Sequence, residues 1–422
     1  MGAREVCHND GPAKVEARLH QPGRVLDCPR GHASGRPPAR SRPDDTLHLE
    51  LLIPSLFWTQ GQGADVMRGI AAPTLERWLS RGRPGASIPG TADRWLWRRF
   101  TAPAADAPAE APTEAPAPQG RALAGAAGTP VPLALPLAPV TLAVDGGDPG
   151  RRWWMRADPV HFVIGRTGLR LAPPSLLQLR EEEAAALATA VRAHFPEIAD
   201  DLRAPVPGRW YLGADEDFAL ETTAPADAIG DDVDRNLPRG PGRRRWLGFV
   251  NEVQMLWFDH PVNQARERHG EPVASSLWLH GPGRMPDAGQ PGCAGASGGG
   301  ELLAGLAALA GCRWLPAGEL ADPWLGRTAA GRWLLVLDPL VADAQAGDPF
   351  RWRTALECLD AGWLAPLDRA LRAGAIARID LHWPVHGSLS TLHVAAADRF
   401  RVWRRQRPLA TFAALPAGRT DA

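Results

Sequence analysis

Six polar residues between positions 247 and 286 could together bind an anion. Asn251 lies inside an otherwise strongly apolar helical pattern, and Asn263 and Arg266 are three residues apart, so these two face the same side of a predicted helix. The guanidinium of Arg266 presents a planar fork of donors that suits a carboxylate or a phosphate. The candidate ligand-binding residues are Asn251, His260, Asn263, Arg266, His280 and Arg284.

The same residues also have structural explanations. Asn and His near a helix start often cap the helix, and a single arginine often joins two segments through an ion pair. His280 and Arg284 flank two glycines at a predicted strand end, which is where ligands bind in open α/β sheets. The Gly-Pro-Gly loop matches no nucleotide-binding fingerprint. The sequence therefore leaves two interpretations open, an anion pocket and a set of structural polar contacts.

A second polar group lies in the segment WMRADPVHF, residues 154–162. Arg156 and Asp158 are two residues apart on a predicted strand, so they share a face and are expected to pair. Asp158 also precedes Pro159, a sequence typical of turns. We therefore predict a structural role for this pair.

The elements that must position these residues are strands alternating with helices. Strands are predicted from Leu47, from Ser275, over 331–338 and in the last part of the chain, and helices lie between them. This order predicts an α/β fold with a mainly parallel sheet, helices on both faces and antiparallel strands at the C-terminal side.

The helix predicted over about 244–258 has one clear apolar stripe. It is followed by a short second helix, with Pro261 at its first position and Gly270 at its stop. Met255 and Phe258 lie nearly opposite the stripe, which predicts that the C-terminal half of the longer helix is buried on two sides. The stripe consists of Trp246, Phe249, Val250, Val253 and Trp257.

Composition excludes several classes of protein. Lys+Arg and Asp+Glu are equal at 47 each, which argues against a nucleic-acid-binding protein. No apolar run approaches the length of a membrane span and no signal peptide is recognisable, so no membrane association is expected and a cytoplasmic location is predicted. The cysteines lack CxxC spacing, which fits a reducing compartment and no zinc site. They are Cys7, Cys28, Cys293, Cys312 and Cys358.

Three segments carry a resemblance to a known family. WMRADPVHF (154–162), NEVQMLWFDHPVN (251–263) and SLWLHGPG (276–283) resemble hallmark segments of the RpfE-type proteobacterial regulatory proteins, over roughly Leu47 to the end. The region 245–386 also resembles the archaeal-type cofactor-independent phosphoglycerate mutases of the alkaline-phosphatase superfamily. The resemblance implies an alkaline-phosphatase-like fold in degenerate form.

The mutase resemblance implies a set of metal ligands that is incomplete in this chain. Such enzymes clamp the transferred phosphoryl group between two divalent metal ions. Pro54 stands where the first strand should end in Asp, and Ala342 stands where a His should follow Asp338. Asp380 and His382 are separated by one residue where an adjacent pair is expected. No metal or other cofactor is therefore expected; a bound metal would use Asp338, Asp380 and His382.

The predicted organisation has four parts. Residues 1–45 are expected to be a disordered extension, 46–101 an N-terminal strand and helix part, and 102–130 an Ala/Pro-rich linker. The main α/β body spans 131–422, and the mutase resemblance implies an inserted subdomain around 150–285.

The leading functional hypothesis is a non-catalytic regulatory or anion-binding protein on a mutase-like scaffold, with a small anionic ligand. The alternative is an active phosphoglycerate mutase or phosphatase that needs Mn²⁺ or Mg²⁺. A third hypothesis places a protein-binding surface on the N-terminal part and the linker, with no defined partner.

Overall fold

A computed structural model describes most of the 422-residue chain. The predicted extension over 1–45 and nearly all of the predicted linker over 102–130 lie outside the described part, as do Cys7 and Cys28. None of the helices described is both long and apolar enough to span a membrane. The structure describes residues 46–61, 63–102, 135–165, 168–385 and 387–412.

The strands belong to three sheets. They are β1 (Leu47–Leu52), β2 (Arg83–Pro84), β3 (Ile88–Pro89), β4 (Trp153–Val160), β5 (Phe162–Ile164), β6 (Leu169–Leu171), β7 (Leu202–Val206), β8 (Arg209–Ala214), β9 (Ser276–Gly283), β10 (Gly295–Gly298), β11 (Arg313–Leu315), β12 (Gly331–Val336), β13 (Ile376–Val385) and β14 (Ser388–Ala395).

The helices connect and cover these strands. They are α1 (Gly63–Val66), α2 (Pro73–Arg81), α3 (Ala92–Thr101), α4 (Leu137–Val144), α5 (Pro174–Leu177), α6 (Glu181–His194), α7 (Pro225–Ala228), α8 (Arg243–Phe258), α9 (Pro261–Arg268), α10 (Gly300–Leu309), α11 (Ala321–Leu325), α12 (Val341–Ala346), α13 (Pro349–Leu359) and α14 (Ala365–Arg372).

The main sheet has the strand order β11-β10-β12-β1-β13-β14-β2, and β3 also pairs with β14. The five strands β11, β10, β12, β1 and β13 run parallel to one another. Strand β14 runs antiparallel to β13 and to the short β2 and β3. The predicted α/β class, with a mainly parallel sheet and antiparallel strands at its C-terminal side, is confirmed.

Strand β1 lies at the centre of the main sheet because its side chains are buried on both faces. Leu49 and Leu51 face a core formed with α2, α11, α13 and α14. Leu52 faces a second core formed with α3, α4 and α10. The continuous apolar pattern typical of a strand buried on both faces is therefore explained by helices on both sides of the sheet.

A second sheet, with the order β7-β8-β4-β9, is antiparallel throughout and is built from residues 153–283. It has a separate hydrophobic core formed with α6 and α8. The sequence analysis did not identify β7 and β8, because LRAPV and RWYLGA are short and do not alternate cleanly. The domain boundaries drawn from the sequence stay a prediction.

Helix α8 is buried along one stripe only. Trp246, Val253 and Trp257 are buried on that stripe, as expected. Met255 and Phe258, however, are 75% and 77% exposed, so the prediction of a helix end buried on two sides is wrong. The helix packs against β9 and α6 and leaves its opposite side uncovered by the described residues. Apolar side chains are common on protein surfaces, so their type alone does not establish burial.

Candidate functional site

Asn263 is buried at the start of α9 and is fully engaged with the backbone. Its Nδ2 atom donates to the carbonyl oxygens of Trp257 at 2.8 Å and Ala274 at 2.9 Å. Its Oδ1 atom accepts from the Ala274 N–H at 3.0 Å. The side chain therefore joins the end of α8 to the segment that leads into β9.

Arg266 directs its guanidinium to acceptors within the protein. Its Nε atom donates to the Pro272 carbonyl at 2.6 Å and its Nη1 atom to the Glu183 carboxylate at 2.7 Å. Its Nη2 atom donates to the Leu177 carbonyl. Both members of the Arg266–Glu183 ion pair are buried. The guanidinium that could recognise an anion thus connects α9 to α6.

The other candidates of this group lie in different surroundings. His260 caps α9, where its Nδ1 atom accepts from the Val262 N–H at 3.2 Å, and desolvation lowers its pKa. Arg284 is exposed, with its guanidinium 4.9 Å from the centre of the Trp153 ring. Asn251 is exposed on α8. The structure therefore does not bring the six candidates to one pocket.

His280 belongs to a buried charged network in the second sheet. The predicted Arg156–Asp158 pair is present, with the Arg156 Nε and Nη2 atoms 2.9 and 2.6 Å from the carboxylate oxygens. The His280 Nε2 atom lies 2.9 Å from the same carboxylate, and the Trp210 N–H donates to it at 3.0 Å. Strands β4 and β9 position this network because Arg156 and His280 are cross-strand partners.

Electrostatics define the protonation states of this network. Burial alone would raise the pKa of Asp158, but Arg156 and the His280 hydrogen bond outweigh burial and lower the pKa from 3.8 to about 2. Burial lowers the pKa of His280, so this ring is neutral at pH 7 and its Nε2–H donates to Asp158. The buried Nδ1 atom of His280 has no hydrogen-bond partner among the described residues.

Asp380 and His382, two of the three residues that would hold a metal ion, contact neighbouring side chains on the main sheet. The Asp380 carboxylate lies 2.6 Å from His393 Nδ1 and 2.7 Å from Arg378 Nη2. His382 Nδ1 lies 3.0 Å from the Thr391 hydroxyl, and burial lowers the pKa of His382 to about 4. Both side chains therefore have hydrogen-bond partners within the protein.

The strand register also separates Asp338 from the other two. Leu52 pairs with Val336 on one side and with His382 on the other, so β12 and β13 are two strand spacings apart. Asp338 lies two residues beyond Val336 and Asp380 two residues before His382. At 3.3 Å per residue and 4.8 Å per strand, this offset corresponds to about 16 Å between the Cα atoms of Asp338 and Asp380. These two carboxylates cannot share one metal ion.

Asp93 on α3 and Asp338 after β12 both interact electrostatically with Glu301 on α10. Burial, with the charges of Asp227 and Glu301, raises the pKa of Asp93 to about 6. Desolvation, with the charge of Glu301, also raises the pKa of Asp338. No group of three or more His, Cys, Asp or Glu side chains in the described ranges is arranged to hold a metal ion. The residues described there do not fit a two-metal centre.

A cavity of about 280 Å³ lies between α8, the end of the second sheet and a 3₁₀ turn at Val233–Asn236. Within it the Gln254 Nε2 atom donates to the hydroxyl of the fully buried Ser276 at 2.9 Å. We call this space the α8–β9 cavity. Its lining is Phe162, Val233, Asp234, Leu237, Pro238, Leu247, Val250, Asn251, Gln254, Ser276, Leu277, Trp278 and Leu279.

Of the residues that line this cavity, sequence reasoning proposed only Asn251 as a ligand contact. The available signal was the spacing of Asn251 and Gln254, which are three residues apart on α8 and therefore share a face. Two amide side chains on one face of an otherwise apolar helix indicate that this face is neither part of the core nor fully exposed to solvent. The lining from β9 and the 3₁₀ turn had no comparable signal.

Comparison with known proteins gives partial matches to one class of enzyme. A probable 2,3-bisphosphoglycerate-independent phosphoglycerate mutase from Geobacter sulfurreducens is 34% identical over 67 residues, 16% of this chain and 17% of the relative. The enzyme from Methanosarcina acetivorans is 34% identical over 80 residues, 18% of this chain and 20% of the relative. The chain thus matches a fifth or less of the length of these relatives. No family model matches the chain.

Solved structures similar to this chain include two archaeal proteins. The cofactor-independent phosphoglycerate mutase from Thermoplasma acidophilum has a TM-score of 0.41 at 15% identity, covering 88% of this chain and 95% of its own. The PH0037 protein from Pyrococcus horikoshii has a TM-score of 0.49 at 13% identity, covering 87% and 92%. Over its matched segments, the chain is distantly similar to cofactor-independent phosphoglycerate mutases.

Proposed function

We propose that this chain is a non-catalytic ligand-binding protein on a phosphoglycerate-mutase-like scaffold. The observation that carries the proposal is that no group of three or more His, Cys, Asp or Glu side chains among the described residues is arranged to hold a metal ion, as two-metal phosphoryl transfer requires. The engagement of His382 with Thr391 supports the same conclusion. A regulatory setting, as implied by the RpfE-type resemblance, is part of this proposal.

The α8–β9 cavity is the proposed ligand site. Ligand pockets are usually concave and mainly apolar with a few polar groups, and this cavity has that composition. Among the described residues that line it, Asp234 is the charged one, and none is Arg, Lys or His. The cavity therefore favours a small neutral ligand that is largely apolar and hydrogen-bonds to Asn251 and Gln254. The anionic ligand expected from the sequence stays a prediction.

Binding of a neutral fluorescent probe tests the site. N-phenyl-1-naphthylamine should bind the full-length protein with a rise in fluorescence. Leu247→Trp, which adds volume to the cavity lining, should weaken this binding at least about tenfold, a loss of 1.4 kcal/mol. Met255→Trp is the matched control, because Met255 lies on the same helix with an exposed side chain. Equal binding by both variants would reject the cavity as the site.

An active metal-dependent mutase or phosphatase is the second candidate, favoured by the 34% identity of the matched segments. It requires that purified protein interconvert 3- and 2-phosphoglycerate, or hydrolyse a phosphomonoester, only with Mn²⁺ or Mg²⁺. Turnover that chelator abolishes, and that Asp338→Asn removes while the surface variant Asp65→Asn does not, would overturn the non-catalytic proposal. We expect no such turnover and no stoichiometric metal by mass spectrometry.

A further inference from the structure

Two cysteines that are 19 positions apart lie side by side on the main sheet. The Sγ atoms of Cys293 and Cys312 are 3.3 Å apart, and both residues are partly exposed. Cys293 lies just before β10 and Cys312 just before β11, and these strands are parallel neighbours, with Gly295 opposite Arg313. The pairing of the two strands therefore holds the thiols together at one edge of the sheet.

The geometry is close to that of a disulfide bond. Neighbouring strands are about 4.8 Å apart, and disulfides join cysteines whose Cα atoms are about 4.4–6.8 Å apart. The sulfurs need to approach by only about 1.3 Å to reach the bonded distance of about 2 Å, which small side-chain rotations can supply. Because both residues are partly exposed, a small disulfide can reach them.

The two thiols differ in acidity. The hydrogen bond between the two sulfurs lowers the pKa of Cys312 to about 7, against the effect of partial burial. The same hydrogen bond, together with burial, raises the pKa of Cys293. Near neutral pH, Cys312 is thus the better source of thiolate, the form that attacks disulfides.

We propose that Cys293 and Cys312 are a reversible thiol–disulfide site that reacts with low-molecular-weight disulfides such as oxidised glutathione. The Cys312 thiolate attacks one sulfur of the disulfide, forms a mixed disulfide and releases one glutathione thiolate. Cys293 then attacks the Cys312 sulfur, breaks the mixed disulfide and passes its proton to the second departing thiolate. The two cysteines are oxidised by two electrons, and the glutathione disulfide is reduced to one thiolate and one thiol.

The bond would close a ring over residues 293–312. This ring contains β10, the three glycines at 298–300 and all of α10. Helix α10 carries Glu301, which lies 3.8 Å from Arg156 of the second sheet. Since a crosslink restricts the unfolded chain, oxidation should also raise the melting temperature of the protein.

Peptide mapping of the full-length protein tests this site. The protein is incubated with oxidised glutathione at pH 7, unreacted thiols are alkylated, and non-reduced peptides are identified by mass spectrometry. The wild type should yield one species that links the Cys293 peptide to the Cys312 peptide, and dithiothreitol should reverse the link. Persistent glutathione on Cys312 without the link, or alkylation of both cysteines, would overturn the proposal.

Single substitutions test which of the two cysteines attacks the glutathione disulfide first. Cys293→Ser should retain glutathione on Cys312, because the second thiol is missing. Cys312→Ser should form no link and should react more slowly at Cys293 than Cys293→Ser does at Cys312, because burial raises the pKa of Cys293. Cys358→Ser, on α13, is the control and should form the link as the wild type does. Equal rates for the first two variants would contradict the assigned order, and the wild-type mapping stands even if a variant misfolds.

Discussion

The Nε2 atom of His280 lies 2.9 Å from a carboxylate oxygen of Asp158, although these residues are 122 positions apart in the sequence. The antiparallel pairing of β4 with β9 produces this contact, and Arg156 completes a buried set with one cation, one anion and one neutral ring. Removing either charged side chain would leave the other buried without a counter-charge, which strongly destabilises a protein. The network therefore anchors the second sheet.

Asp158→Asn should destabilise the protein by about 3–5 kcal/mol, because it leaves the buried guanidinium of Arg156 without its counter-charge. Urea unfolding at pH 7 measures this loss. Asp215→Asn is the matched control, since the Asp215 side chain is 86% exposed in its pair with Arg152, and it should change stability by less than about 0.5 kcal/mol. A loss below about 1 kcal/mol for Asp158→Asn would show that the network is not an anchor.

Asp93 should make stability fall as pH rises through the range from 3.8 to about 6. Its folded pKa of about 6 exceeds the ordinary value of 3.8, so the unfolded chain releases this proton first and the charged form disfavours folding. Asp93→Asn should therefore be about 1 kcal/mol more stable than the wild type at pH 7, after allowance for partial exposure, and equal to it below pH 3.8.

Unfolding free energies at several pH values check the Asp93 prediction. The exposed Asp65 serves as a control, because Asp65→Asn should follow the wild-type profile throughout. A constant difference between Asp93→Asn and the wild type at every pH would mean that titration of Asp93 is not the cause.

Arg266→Met should destabilise the protein by about 3 kcal/mol, because Glu183 would then remain buried with only Arg180 as a partner. Denaturant unfolding and circular dichroism measure the effect. Arg268→Met, on the same helix but exposed, should be nearly neutral. If Arg266→Met kept full stability but lost affinity for an anion such as 3-phosphoglycerate, the ligand role first inferred for Arg266 would be correct instead.

Truncation of Trp257 should lower stability strongly, whereas truncation of its neighbour Phe258 should change stability little. Trp257 is fully buried, with its ring centre 5.6 Å from that of Trp210, so Trp257→Ala should cost about 3–5 kcal/mol. Phe258 is 77% exposed, so Phe258→Ala should change stability by less than about 0.5 kcal/mol. Thermal and urea unfolding of the two variants compare them directly. A large loss for Phe258→Ala would indicate that this ring is covered in solution.

Local patterns predicted those elements whose environment is uniform along their length. Strand β1 has apolar residues on both faces because helices cover both faces, and the apolar run reports this directly. The α9 boundaries follow from Pro261 and Gly270. The pairing of Arg156 with Asp158 follows from their shared strand face. Each of these predictions depends only on residues that lie close together in the sequence.

The candidate site could not be assembled in the same way. Asn263 and Arg266 have the residue types of a ligand site, but their partners Ala274, Glu183 and Leu177 come from segments whose positions no local pattern specifies. A buried donor bonds to whatever acceptor the fold brings near it. Residue type therefore predicted that these side chains hydrogen-bond, while the fold selected the partner.

The sequence by itself determined the α/β class, the parallel core and the helix stripes, because the periods of the helix and the strand appear directly in the spacing of apolar residues. Only the tertiary structure decided that Asp380 meets His393, that His280 meets Asp158 and that Cys293 meets Cys312. These relationships depend on strand order and register, which arise from packing across the whole chain.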